Sequence, residues 1–225
     1  MLIDQIPTII ILTAAAIISA VTVSFLATTN MITTPLFQQQ HSTDINKLED
    51  SKGDTKLIGI YKTEILPVVR DYHDILSASI NKITDANKMI LTIDLAGDAN
   101  KNQKYETAYL WLIFYTNDDD SFNLYTIIIP NFPADSDFGN RKGWYMSTFN
   151  NTDNSYTLPL SKISDMPKDK VQVFIDPSFI GNPSSFNYIV SSMVRVNTTF
   201  LDKPPDYLVD TVPDSNEVFW RQWFS

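Results

Sequence analysis

The order of apolar and polar positions divides the chain into three stretches. From Gln5 to Thr43 no side chain is charged, apart from a proton on His41, and Ile6 to Ala27 is almost wholly apolar or small. As a helix this apolar run would measure about 33 Å, against a hydrocarbon core of about 30 Å. Lipid offers no partners to backbone N–H and C=O groups, so a spanning segment must be helical or part of a closed barrel, and Ile9 to Ile18 alternates too little for a barrel strand. Pro7 falls near the first turn, where its missing N–H costs least. The hydroxyls of Thr13, Ser19, Thr22 and Ser24 can bond back to carbonyls of the same helix. The pattern predicts an N-terminal transmembrane helix over 1–29. A cleaved signal peptide and a pilin-like assembly helix are the alternatives. Both favour a basic leader, whereas Met1 to Gln5 carries Asp4 and neither Lys nor Arg.

The second stretch, Thr28 to Lys56, has no apolar period and reads as a polar linker or stalk over 30–56. The third, 57–225, alternates with period two and predicts strands. Leu76, Ala78 and Ile80 alternate with serine and asparagine, and after the turn Asp85–Lys88 so do Met89, Leu91, Ile93 and Leu95. Tyr105 to Tyr115 is apolar on both faces, as a central strand would be, and Phe122 to Ile129 returns beside it after the turn Asn117–Asp120. Trp144–Phe149, Val171–Ile175 and Asn187–Val196 complete a set of at least seven strands. The fold class expected is therefore all-β, an antiparallel β-sandwich behind one transmembrane helix. Asp202, Asp206, Asp210 and Asp214 fall four apart, but Pro204, Pro205 and Pro213 forbid a helical stripe. Phe219, Trp220, Trp223 and Phe224 fit one face of a terminal helical turn.

Charge narrows the partners. The formal charge of −9, with no cluster of Lys or Arg, repels phosphate backbones, so no nucleic acid is expected. The absence of cysteine excludes disulfides, thiolate metal sites and cysteine nucleophiles. Lys and Arg are missing before the apolar run and first appear at Lys47 after it, so the positive-inside rule is nearly silent on orientation. The common export layout of tail, helix and β-domain places the C-terminal domain outside the cell. Asn150 and Asn197 head the two N-x-Ser/Thr sequons.

Candidate chemistry is sparse. Six glycines form no nucleophile elbow, dinucleotide fingerprint or phosphate loop. With only His41 and His73, a zinc site would need carboxylates for most of its ligands. His73 reads as a polar residue at the start of a strand, or as a ligand or base. Asp118/Asp120 and Asp135/Asp137 are loop carboxylates of the kind that hold calcium, or simply solvated. Sugar sites combine an aromatic platform with carboxylate, amide and guanidinium hydrogen bonders. Asp135, Asp137, Asn140, Arg141, Trp144 and Tyr145 bring those types together and are the candidate ligand-binding residues; the alternative is a core Trp144 beside a solvated loop.

The run Met89–Asp98, Trp111, the segment Pro177–Phe186 and Val209–Asp214 together resemble exported β-sandwich modules of the carbohydrate-binding family 9-like and DOMON-like kind, over roughly residues 70–215. The resemblance implies a sandwich that binds or assists rather than catalyses. It fixes no ligand, and the Met–His haem pair of some DOMON domains has no place here, so no cofactor is expected. The expectation is a membrane-anchored, surface-exposed, non-catalytic binding module for a glycan or other envelope ligand, or else a structural or assembly subunit of the envelope. Its partners would be the lipid bilayer, through Ile6–Ala27, and a glycan or envelope protein.

Overall fold

A computed structural model describes residues 47–58, 70–83, 86–101, 107–132, 141–195, 207–212 and 219–222. The apolar run Ile6–Ala27 lies outside the described residues, and among those described no helix is long and apolar enough to cross a membrane.

Among the described residues, twelve strands form two antiparallel sheets. The smaller holds β1 (Lys47–Glu49), β3 (Ile75–Ile83), β4 (Lys88–Leu95) and β9 (Lys170–Ile175), in the order β1-β3-β4-β9. The larger contains β2 (Lys56–Ile58), β5 (Thr107–Thr116), β6 (Phe122–Phe132), β7 (Gly143–Asn150), β8 (Ser155–Lys162), β10 (Ser185–Arg195), β11 (Tyr207–Val212) and β12 (Phe219–Gln222). Its order is β2-β11-β10-β5-β6-β7-β8, with β12 also pairing β10. The two hairpins expected from alternation are present: Ile80 faces Leu91 across β3–β4, and Trp111 faces Ile127 across β5–β6.

One core lies between the sheets. Ala78, Ile80, Leu91, Ile93, Val171 and Val173 enter it from the smaller sheet, and Tyr109, Trp111, Ile113, Ile127, Ile129, Tyr188 and Val190 from the larger. Period-two alternation delivers these residues to one side of every strand, and their removal from water is the main force holding the sheets together. Buried phenols find carbonyls. The Tyr109 hydroxyl donates to Tyr72 O at 2.7 Å and that of Tyr115 to Ile180 O at 2.9 Å. Burial pushes both phenols above their ordinary range, so they stay protonated donors.

Four local outcomes differ from the pattern. A bulge between Ile75 and Ser77 leaves Leu76 only half-buried while Ala78 and Ile80 reach the core. The polar stretch read as linker supplies β1 and the first residue of β2; in β1 one apolar residue, the buried Leu48, is enough to seat a three-residue edge strand. Ser155–Lys162 forms β8, although five of its eight residues are exposed and give no alternation. The terminal helical turn is not formed at Phe219–Gln222, which pairs with Ser185–Tyr188 as a strand; Trp223 and Phe224 lie outside the described residues.

Candidate functional site

The candidate sugar loop is only partly described. Asp135, Asp137 and Asn140 lie outside the described residues, while Arg141, Trp144 and Tyr145 lie within them. Trp144 is 1% exposed, its ring stacked on Tyr109 at 5.9 Å, and its indole N–H donates to Asn100 Oδ1 at 2.9 Å. Asn100 in turn donates to Met166 O at 2.8 Å, so Trp144 ties β7 to the 3-10 turn Ala99–Lys101 and the 163–169 connection. Neighbouring residues on a strand point to opposite faces. Tyr145 accordingly lies on the outer side, edge-on to Phe132 at 5.4 Å. The two aromatics are thus separated by the sheet and share no platform. Arg141 is half-buried at the start of β7.

A different group of polar residues converges where the smaller sheet meets β11. Asp50 and Asp54 come from the connection between β1 and β2, and Asp210 from the inner face of β11; their carboxylate oxygens lie within 4.8 Å of one another. Gly53 makes the turn with φ +88°, a backbone region that glycine enters without steric cost, and its N–H reaches both oxygens of Asp74 at 2.9 and 3.1 Å. Asp210 is buried and accepts the Ile75 N–H at 2.6 Å and the Thr211 N–H at 2.9 Å. Burial, with the charges of Asp54 and Asp74 added, pushes its carboxyl up to about 7 against the pull of those N–H donors. Like charges this close are balanced by a shared proton or by a hard cation with oxygen ligands. Asp50, Asp54 and Asp210 are the residues that could hold one. The sequence offered no signal for this group, because Asp210 lies far along the chain from Asp50 and Asp54.

His73 sits beside it in the 3-10 turn Asp71–His73, with none of its surface exposed. Its Nδ1 accepts the Arg70 N–H at 3.1 Å, which assigns the ring proton to Nε2. Burial, then the Arg70 charge, brings the imidazole down to about 4, so it is neutral at physiological pH. Ser192 on β10 donates its hydroxyl to the His73 carbonyl. The residue acts as a hinge pin between sheets rather than as a solvent-facing base. Asn150, the first sequon residue, is buried and holds its own turn, accepting from Thr152 N at 2.9 Å and donating to Asp153 Oδ2 at 2.8 Å. Asn197 lies outside the described residues.

The largest chemical contrast is between the two outer faces. Opposite the core-facing positions, the larger sheet presents Asn187–Met193 on β10, Ala108–Thr116 on β5, Phe122–Phe132 on β6 and Tyr145–Phe149 on β7, taking every second residue. None of those outward residues is charged. Leu110, Leu112, Phe114, Leu124 and Ile189 are half-buried there, and Phe122 is 53% exposed.

Comparison with protein-family models, with curated proteins and with solved structures finds no match to this chain.

Proposed function

We propose that this protein is a non-catalytic β-sandwich tethered to the cell membrane through Ile6–Ala27, with its C-terminal domain outside the cell, where it serves as an assembly subunit of the envelope through protein contacts. The outward positions of β5, β6, β7 and Asn187–Met193 on β10, which bear no charge and include Phe122 at 53% exposure, carry this reading. A face that is meant for water normally alternates hydrophobic-in with polar-out, whereas contiguous exposed apolar area marks an interaction surface. The described titratable groups support a non-catalytic role. His73 is buried and neutral, and the carboxylate that burial perturbs most, Asp210, is committed to backbone N–H groups.

A photo-cross-linking side chain placed at Leu112 in the full-length protein, in the intact cells that make it, tests the proposal. Adducts are expected at Leu112 and not at Ile90, on the outer face of the smaller sheet. Equal adducts at both positions, or none at either, would overturn it. Protease added to the same cells should remove the C-terminal domain.

Glycan binding by the same module, which the carbohydrate-binding family 9-like and DOMON-like resemblance suggests, draws on Tyr145 and Arg141. With Trp144 engaged in the core, Tyr145→Ala is the variant that tests it: glycan capture by the full chain should fall with it if this is the ligand surface.

A further inference from the structure

We infer that β1, the connection 50–55 and β2 form a detachable clasp, which opens and closes on the sandwich while the rest of the fold stays intact. The clasp goes beyond the assembly reading above and does not depend on it. Four observations carry it.

Position comes first. β1 is the edge of the smaller sheet and β2 the edge of the larger, so the connection between them crosses from one sheet to the other. Each strand is three residues long. Among the described residues β1 pairs only with Ser77–Ser79, and β2 only with Tyr207–Val209.

The second observation is how little holds it. Leu48 is the apolar side chain that β1 sends into the core. The Asp50 N–H donates to Leu76 O at 3.0 Å, and the Gly53 N–H reaches both oxygens of Asp74. The Lys47–Glu49 ion pair joins two residues of β1 itself, and Ser51, Lys52 and Gly53 are exposed. By contrast β4 buries Met89, Leu91, Ile93 and Leu95, and β5 buries Tyr109, Trp111 and Ile113. The free energy of a local opening follows the apolar surface that it exposes, so β4 and β5 open only with the whole domain.

Opposition is the third. Closing the clasp brings Asp50 and Asp54 to Asp210, with their carboxylate oxygens within 4.8 Å of one another. Like charges at that distance push the clasp off the sheets, against the hold of Leu48 and the backbone bonds.

The fourth is a hinge. Gly53 turns the crossing at φ +88°, with nothing within 4 Å of where a Cβ would stand. A glycine in open space changes conformation at no steric cost.

Opening would unpair β3 and β11 together and admit water to Asp74 and Asp210, both buried in the closed form. The freed edges would be templates for a new strand. Chain order places the clasp between the tether proposed above and the rest of the sandwich, so a pull on that tether loads β1 first; this consequence alone rests on the tether.

Hydrogen exchange of the full-length protein in detergent, followed by mass spectrometry at low urea concentrations, tests the clasp. Amides of residues 48–53 should exchange at least about a hundred-fold faster than those of β4 and β5, yet more slowly than an unfolded chain, and at a rate that urea leaves unchanged. Amides of β4 and β5 should quicken with urea, as global unfolding does. The bond from Asp50 to Leu76 makes Glu49 and Ser77 the adjacent non-hydrogen-bonded pair, with Cα atoms about 4.5 Å apart, a spacing that a disulfide can bridge. Glu49→Cys with Ser77→Cys, in a chain that has no other cysteine, should slow the clasp amides at least about ten-fold when oxidised and release them on reduction. Asp54→Asn removes one of the converging charges and should slow them about three-fold or more. Clasp amides as protected as those of β4, unprotected altogether, or quickened by urea in step with β4 would overturn the inference. So would an oxidised pair that changes nothing, or an Asp54→Asn clasp no slower than the wild type. Should the double variant not fold, the urea dependence of the wild type still decides. If the clasp opens but Leu112 gives no adducts in cells, the clasp stands and the assembly reading fails.

Discussion

The two outer faces of the sandwich are built from the same alternation and reach opposite solutions. The smaller sheet turns Lys47, Glu49, Ser77, Ser79, Thr92, Asp94, Lys170 and Gln172 outward. These groups engage one another. Lys170 pairs with Asp94 at 3.1 Å and Lys47 with Glu49 at 3.0 Å, and Ser77 donates to Asp94 at 2.7 Å. It is a mostly polar face, interrupted where Ile90 lies opposite Phe174, which is 53% exposed. The larger sheet turns out leucine, isoleucine, phenylalanine and methionine with paired hydroxyls between them. Both faces are compatible with the same core, so the core cannot explain the difference. What differs is what each face is made to meet.

Edge strands sharpen the contrast. At the end of the larger sheet β8 carries Pro159 and an exposed Lys162, two residues that discourage strand addition. The sequence thus blunts strand pairing at that edge.

The largest expected effect concerns the two sides of the larger sheet. Trp144→Ala should remove about 3–5 kcal/mol of stability, the usual cost of a large aromatic in a core, and a denaturant melt of the full chain will measure it. A loss under about 1 kcal/mol would return Trp144 to the set of ligand platforms. Next, Ile128→Lys and Ile90→Lys test whether the two outer faces tolerate charge equally. Ile128 is 4% exposed although it points away from the core, so its lysine should cost about 2–3 kcal/mol, while Ile90→Lys should stay within about 0.5 kcal/mol. Similar melting points for the pair would break the comparison.

The junction of the sheets should show itself in pH. Asp210, held up to about 7 by burial and by Asp54 and Asp74, keeps in the folded chain a proton that the unfolded chain releases near pH 4. Its contribution to stability is complete below about pH 4 and is lost as pH rises through about 7. His73, brought down to about 4 by burial and Arg70, does the reverse: its contribution is complete above about pH 6.5 and is lost as pH falls through 4. The two slopes oppose one another, so the wild-type melting temperature should be nearly level between about pH 4 and 6.5. Asp210→Asn should tilt that window, with stability rising with pH; an unchanged profile would remove Asp210 from the account.

The smallest effect belongs to the solvated face. At Asp94, burial raises the carboxyl, but hydrogen bonds from Ser77 and Lys170 and the charges of Lys170 and Lys47 outweigh it and hold the group below its ordinary range. Lys170→Met should cost about 0.2–1 kcal/mol and less in high salt, as exposed pairs do. A salt-independent loss above about 2 kcal/mol would mean that this face, too, is buried against something.

Much of the fold was legible because burial imposes a period. Met89–Leu95 and Trp111–Tyr115 announce their strands by alternation, and turns such as Asn117–Asp120 mark where they reverse. Strands at the sheet margins carry a weaker signal. β8 buries little, β1 has one apolar residue, and β12 reads as amphipathic at either period. The candidate loop was legible only as residue types. Trp144 and Tyr145 are adjacent in sequence, and the pleat sends one into the core and the other outward. No local pattern could reveal the carboxylates of Asp50, Asp54 and Asp210 meeting across the sheet junction.

The sequence by itself determined an all-β antiparallel domain, its principal hairpins, its acidity and its lack of thiol chemistry, because these follow from composition and from the two-residue period of a half-buried strand. Only the tertiary structure decided which apolar positions face the core and which face outward, since β5 is apolar on both sides and its sequence treats them alike. It also decided that Trp144 holds the fold, that His73 is sealed off, and that Asp210 shares one place with Asp50 and Asp54. Those outcomes depend on which strands lie side by side, and strand order is set by the whole chain's competition to bury surface.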